Sequence, residues 1–140
     1  MGILRLSHVE VRVPDLELAT AYYTEVVGLY ETARDQDRVF LKCWDEQQHH
    51  SVILTGEPTY GLNHMGWKVR YREDLDYYTD RLAKAGVDVV RYEAGELGPG
   101  HGEAIRFTLP SGHVMELVYG MQIVGNLLPL VNPPPKPINM

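Results

Sequence analysis

The chain has 140 residues, enough for one domain with a real buried core, and its 44% hydrophobic and 23% charged residues suit a soluble globular protein. The net charge of −6, with Lys and Arg interspersed among acids, argues against a nucleic-acid partner, whose phosphates require a cationic face. No apolar run nears the roughly 20 residues of a membrane span, and no signal-peptide core opens the chain. The lone Cys43 has no intramolecular disulfide partner and reads as a small buried residue, so no membrane partner and a cytoplasmic setting are expected.

From Ile3 to Val13 apolar and polar residues alternate, the period of a half-covered strand. Val9, Val11 and Val13 share the face a helix would cover, and His8, Glu10 and Arg12 share the other. Pro14-Asp15 ends the strand and caps a helix. That helix carries Leu16, Ala19, Tyr23 and Val26 or Val27 as its apolar stripe and stops at Gly28. Three short strands are predicted next, over 29–33, 39–44 and 51–55, with Asp35-Gln36-Asp37 as a turn and 45–50 as a longer polar connection. Gly56-Glu57-Pro58 and Tyr60-Gly61 then break the pattern.

The pattern restarts. Over Asn63 to Val69, Met65, Trp67 and Val69 face one side and His64, Lys68 and Arg70 the other, with Gly66 between. A helix starting near Asp74 buries Leu75, Tyr78, Leu82 and Ala85 and stops at Gly86. Strands are predicted over 87–92, 104–109 and 114–119. The segment 93–102, with four glycines and a proline, is a loop, and Leu109-Pro110-Ser111-Gly112-His113 is a tight turn. His8 and His64 are 56 residues apart, Tyr22-Tyr23-Thr24 and Tyr77-Tyr78-Thr79 are 55 apart, and Gly28 and Gly86 are 58 apart. A common period of this length marks one strand–helix–three-strand module used twice, filling residues 1–120. Residues 121–140 depart from it. Leu127-Leu128-Pro129-Leu130-Val131 is short and proline-broken, and Pro133-Pro134-Pro135 and Pro137 favour extended backbone, so this stretch reads as a proline-rich linker or tail leading to something further.

His8 and His64 are equivalent positions of the module. If the two modules close on each other, their first strands lie side by side, the histidines approach, and Glu116 on the last strand completes a set. Two imidazoles and one carboxylate on one face of a metal are the donors of non-haem Fe(II) oxygenases and also suit Mn(II), leaving positions for a bidentate substrate and O2. The alternative is a hydrogen-bonded histidine pair in a polar barrel mouth, with Glu116 paired to Lys68, Arg12 or Arg70. Tyr22, Tyr23, Tyr77 and Tyr78 have helical spacing and read as core or interface.

Arg5 to Val13, Val26-Val27-Gly28-Leu29, Arg38-Val39-Phe40-Leu41-Lys42 and Leu109-Pro110-Ser111-Gly112-His113-Val114-Met115-Glu116-Leu117 resemble the N-terminal half of two-domain extradiol catechol dioxygenases, members of the vicinal oxygen chelate superfamily. The resemblance covers about the first 120 residues and, loosely, Val131-Asn132-Pro133. It implies an α+β fold in which two βαβββ modules form a half-open mixed β-barrel with flanking helices. It implies extradiol cleavage of a catechol-type small molecule by O2 and Fe(II), a C-terminal catalytic domain as partner, and a homo-oligomer. In that family the iron sits in the C-terminal half and the N-terminal half keeps the fold without the chemistry. The catalytic half also carries an acid–base histidine before its penultimate strand, and on that strand a tyrosine ten residues before the metal glutamate. The matching positions here are near Leu97 and at Arg106, and neither residue transfers protons near neutral pH. His101 is four residues out of register, and His49 or His50 matches a further family histidine loosely. The resemblance thus implies a non-catalytic module, with no catalytic residue and Fe(II) expected for the full enzyme. A stand-alone module that binds its own Fe(II) or Mn(II), or a small aromatic ligand, through His8, His64 and Glu116 is the other reading. A glyoxalase-type isomerase would need a carboxylate within Ser51-Val52-Ile53-Leu54-Thr55, which has none; a drug-sequestering protein is also compatible with the fold.

Overall fold

The computed structural model describes residues 2–126, so the expected tail lies outside the described residues from 127 onward. The element order is β1 (Ile3–Val13), α1 (Leu16–Ala21), a π-helical turn (Tyr22–Val27), β2 (Tyr30–Arg34), β3 (Arg38–Lys42), β4 (Val52–Gly56), β5 (Gly61–Val69), α2 (Glu73–Lys84), β6 (Val90–Tyr92), β7 (Glu103–Thr108) and β8 (Val114–Tyr119). Strand, helix and three strands therefore occur twice, as the period of the sequence requires, and the fold is mixed α+β. The described residues form two compact units, one of 2–8 and 63–122 and one of 9–62 with 123–126. The division falls inside β1, so His8 belongs with the second module's residues rather than its own.

Within the unit 9–62 the hydrogen-bonded order is β2-β3-β4-β1. β1 and β4 run parallel, from Val9 opposite Val52 to Val13 opposite Gly56. A parallel pair needs a crossover, and α1 supplies it. Asp15 caps this helix, its Oδ1 accepting from Leu18 N at 2.9 Å. The Thr20 and Thr24 hydroxyls donate to the carbonyls four residues earlier, at 2.7 and 2.8 Å, a bond that bends helices. The last turn is π-helical, and Gly28 N and Leu29 N both donate to Tyr23 O. Gly28 closes it at φ 91°, the left-handed cap expected there. This turn settles the stripe: Val27 joins Leu16, Ala19 and Tyr23 on the core, and Val26 is exposed. Val39, Leu41, Val52 and Leu54 fill that core, each fully buried aliphatic side chain contributing about 1.5–3 kcal/mol.

Cys43 closes the same core with no exposed surface. Burial, followed by the nearby Glu46 and Asp45, pushes its thiol up to about 12. The native chain at about pH 8 is therefore expected to leave a disulfide reagent unreacted for as long as it stays folded, while the urea-unfolded chain reacts with one equivalent. Rapid labelling of the folded chain would show that the β3 end opens freely.

In the other unit β1 contributes its first residues beside β5, and the order continues β5-β8-β7-β6. β5 and β8 are parallel, with α2 as the crossover, and β8, β7 and β6 are antiparallel. α2 has Glu73, Asp74 and Asp76 in its first turn and Arg81 and Lys84 in its last, the charge order its dipole favours. Leu75, Tyr78 and Leu82 pack on Val69, Ile105 and Leu117. Ala85, expected in that stripe, caps the helix instead and is exposed, because the chain turns away at Gly86 with φ 78°. The strand expected from residue 87 begins only at Val90. Arg72 and Arg91 both converge on Glu103, and Arg91 also reaches Asp76, tying α2 and β6 to β7.

Candidate metal centre

The register of three strands builds the candidate site. On β8, Glu116 lies opposite Gly66 of β5 on one side and opposite Arg106 of β7 on the other. Directly opposed residues share a face of the sheet, and His64 lies on the face of Gly66 two residues earlier. Gly66 leaves open the space that the His8 ring fills: a Cβ there would stand 2.1 Å from His8 Cε1. His8, His64 and Glu116 are all buried, with Glu116 fully so.

The three sequence-predicted donors do converge. His8 Nε2 is 2.9 Å from His64 Nε2 and 3.3 Å from Glu116 Oε1, and His64 Nε2 is 3.5 Å from Glu116 Oε2. Neighbouring ligands of one metal stand roughly 3 Å apart, so the spacing of this triad fits a metal.

Two further residues stand in the same cluster. Arg106 Nε donates to Glu116 Oε2 at 2.7 Å, its Nη2 is 3.5 Å from His64 Nε2, and its guanidinium lies over the Tyr92 ring at 5.4 Å. His101 Nε2 is 2.6 Å from Glu116 Oε1, and its ring meets that of His8 edge-on at 4.9 Å between centroids. Both carboxylate oxygens are thus engaged by side chains already. An ionised carboxylate only accepts, so His101 carries its proton on Nε2. One of the paired Nε2 atoms of His8 and His64 must also carry a proton, where a metal requires a lone pair. A divalent ion held by these atoms would face the guanidinium at close range; like unit charges about 4 Å apart repel by about 4 kcal/mol at an effective dielectric near 20. The spacing fits a metal and the charge does not.

Electrostatics favour an anionic Glu116 beside neutral imidazole. Burial pushes the Glu116 carboxyl up, but hydrogen bonds from His101 and His8 more than offset it and hold it well below the usual range. Burial, the largest influence on His8, lowers it despite the neighbouring carboxylate. Glu116 therefore pairs with Arg106, and not with Lys68, Arg12 or Arg70. Ten residues before Glu116 and across a tight turn, Arg106 is its cross-strand neighbour in the β7–β8 hairpin. His101 is four residues out of the expected register, and the loop delivers it to Glu116 regardless, since Gly102 lets the backbone pass where a Cβ would stand 2.0 Å from Tyr119 O. Leu97 is half-buried against Ala104, Val118 and Met121. His49 and His50 lie in the other unit, bonded to each other through Nδ1 at 2.8 Å. No helix of the described residues is long and apolar enough to cross a membrane.

Residues 62–120 match the family described as the catechol 2,3-dioxygenase-like N-terminal domain. The chain is 39% identical over 141 aligned residues to a metapyrocatechase of Pseudomonas sp. (strain CF600), covering 99% of this chain and 46% of that protein. It is 32% identical to a manganese-dependent 2,3-dihydroxybiphenyl 1,2-dioxygenase of Geobacillus genomosp. 3, covering 86% of this chain and 38% of that protein. Among solved structures, the 2,3-dioxygenase LapB of Pseudomonas sp. KL28 superposes with a TM-score of 0.87 at 42% identity, over 96% of this chain and 47% of that one. The chain thus spans less than half the length of these relatives. The family match, the shared fold and these identities together make the chain similar to the N-terminal part of extradiol catechol dioxygenases of the vicinal oxygen chelate superfamily.

Proposed function

We propose that this chain is the non-catalytic N-terminal module of an enzyme that opens a catechol ring beside its diol with O2. A C-terminal catalytic domain would bind Fe(II), and the metal there would supply the site at which the catecholate and O2 meet. The observation that carries the reading is Arg106. It stands opposite Glu116 where the resemblance expects a tyrosine, and a guanidinium stays protonated throughout the useful pH range. Leu97, near the expected acid–base histidine, does not titrate. The residues of this chain then do structural work: Arg106 and His101 pair with and orient a buried carboxylate, and the module serves as a structural partner of the catalytic half and a platform for subunit contacts.

Oxygen uptake with catechol and added Fe(II) tests this. Residues 1–140 alone are expected to consume no oxygen above the iron-only control, and uptake is expected when a catalytic C-terminal half of this family is joined to them. Ring-opened product from the isolated chain would overturn the division of labour.

A second reading, a stand-alone protein that binds Fe(II) or Mn(II) or a small aromatic ligand, is favoured by one observation, the metal-like spacing of His8, His64 and Glu116. Stoichiometric Mn(II) on the isolated chain, lost in His64→Ala, would turn the assignment toward it.

A further inference from the structure

We propose that Arg106 is the resident cation of the His8–His64–Glu116 centre: its guanidinium takes the charge role of a divalent metal, keeps the centre metal-free, and covers a donor set that becomes a metal site once position 106 is neutral. The inference concerns this chain's own residues and holds whether or not the chain is half of a dioxygenase.

Three observations carry it. The triad atoms are 2.9, 3.3 and 3.5 Å apart, the spacing of ligands around one small ion. The guanidinium lies at that set, with Nε 2.7 Å from Glu116 Oε2 and Nη2 3.5 Å from His64 Nε2, so it touches two of the three ligands. Finally, Arg106 is held from outside the triad as well, by the Tyr92 ring at 5.4 Å and by the strand register that sets it opposite Glu116. It is built in rather than a mobile side chain that swings into the centre.

The physical logic is charge balance in a buried space. A carboxylate with no exposed surface must be compensated by a cation or give up its charge. A metal or a guanidinium satisfies that need, and the presence of one disfavours the other through repulsion. His101 adds a donor to Glu116 Oε1 that compensates part of the charge but brings no positive ion of its own when neutral.

The test is Co(II) binding by the 140-residue chain, read by calorimetry, by visible d–d absorption and by thermal melting in the presence and absence of the ion. The wild type is expected to bind no stoichiometric Co(II) and to show no melting shift. Arg106→Gln and Arg106→Leu are expected to take up one equivalent, with absorption bands of nitrogen and oxygen ligation. Their melting temperatures are expected to fall without metal and to rise with it. Adding His64→Ala to either variant is expected to abolish both the bands and the shift. A variant that folds only with Co(II) counts as support, because the ion then replaces the missing charge. Arg106→Lys, which keeps a cation, is expected to bind at least tenfold more weakly than Arg106→Gln. One equivalent of Co(II) on the wild type, removed by His64→Ala, would overturn the proposal, as would failure of both neutral variants to bind the ion, folded or not.

Discussion

Glu116→Gln is expected to lower the unfolding free energy by about 3 kcal/mol, within the range seen when one member of a buried charge pair is removed. The amide keeps the shape of the side chain, so packing against β5 and β7 is preserved and the loss reports charge. Arg106 and His101 then face a group with one acceptor where there were two. Urea unfolding near neutral pH measures the change. A loss under about 1 kcal/mol would mean that water replaces the carboxylate at Arg106, whose side chain is a quarter exposed.

His8 and Glu116 set a pH dependence with a definite sign. His8 is held below its ordinary 6.5 by burial, so the unfolded chain takes up protons there first, and stability falls as pH drops below 6.5. Glu116 is held well below its ordinary 4.5, so its contribution is complete above 4.5 and is lost as pH falls further, toward its value in the folded chain. Wild-type stability should therefore decline in two stages on acidification. Glu116→Gln should keep the upper stage and shrink the lower one, to which Glu103 and Asp35, also held below their ordinary values beside arginines, still contribute. A wild-type stability that does not change between about pH 7 and pH 5 would contradict the His8 assignment, and one that stays level from about pH 4.5 downward would contradict the Glu116 assignment.

Gly66→Ala is expected to disrupt the centre more selectively, costing about 2–3 kcal/mol as an overpacked core position. The added Cβ would lie 2.1, 2.5 and 2.6 Å from three atoms of the His8 ring, which is almost fully buried. The ring has no open space to swing into and must give up its 2.9 Å contact with His64. The His8 and His64 imidazole signals in a proton–nitrogen correlation spectrum should both move, while the Val39–Leu41 core of the other unit keeps native amide exchange. Unchanged imidazole signals with full stability would show that the ring yields cheaply.

Much of the fold was legible in residue order because local rules acted unopposed. Alternation over residues 3–13, an Asp cap at 15 and glycines at 28 and 86 are short-range signals, and each element they announced is present within a few residues. The departures arose where one added constraint shifted a local pattern. The π-helical turn over 22–27 chose Val27 over Val26. A glycine turn at 86 left Ala85 outside the stripe and delayed the next strand to Val90.

The sequence by itself determined the duplicated module and the candidacy of His8, His64 and Glu116, because a histidine repeated at one position of a repeat is visible without coordinates. Only the tertiary structure decided who shares Glu116. Register across the β7–β8 hairpin put Arg106 opposite the carboxylate, and register between the distant strands β5 and β8 set Gly66, and with it the His8 ring, on the other side. His101 arrived through a loop whose path depends on one glycine passing the Tyr119 carbonyl, a contact that spacing along the chain does not encode. A donor set can be read from residue types, but the charge that already fills its surroundings depends on where the sheet brings every other side chain.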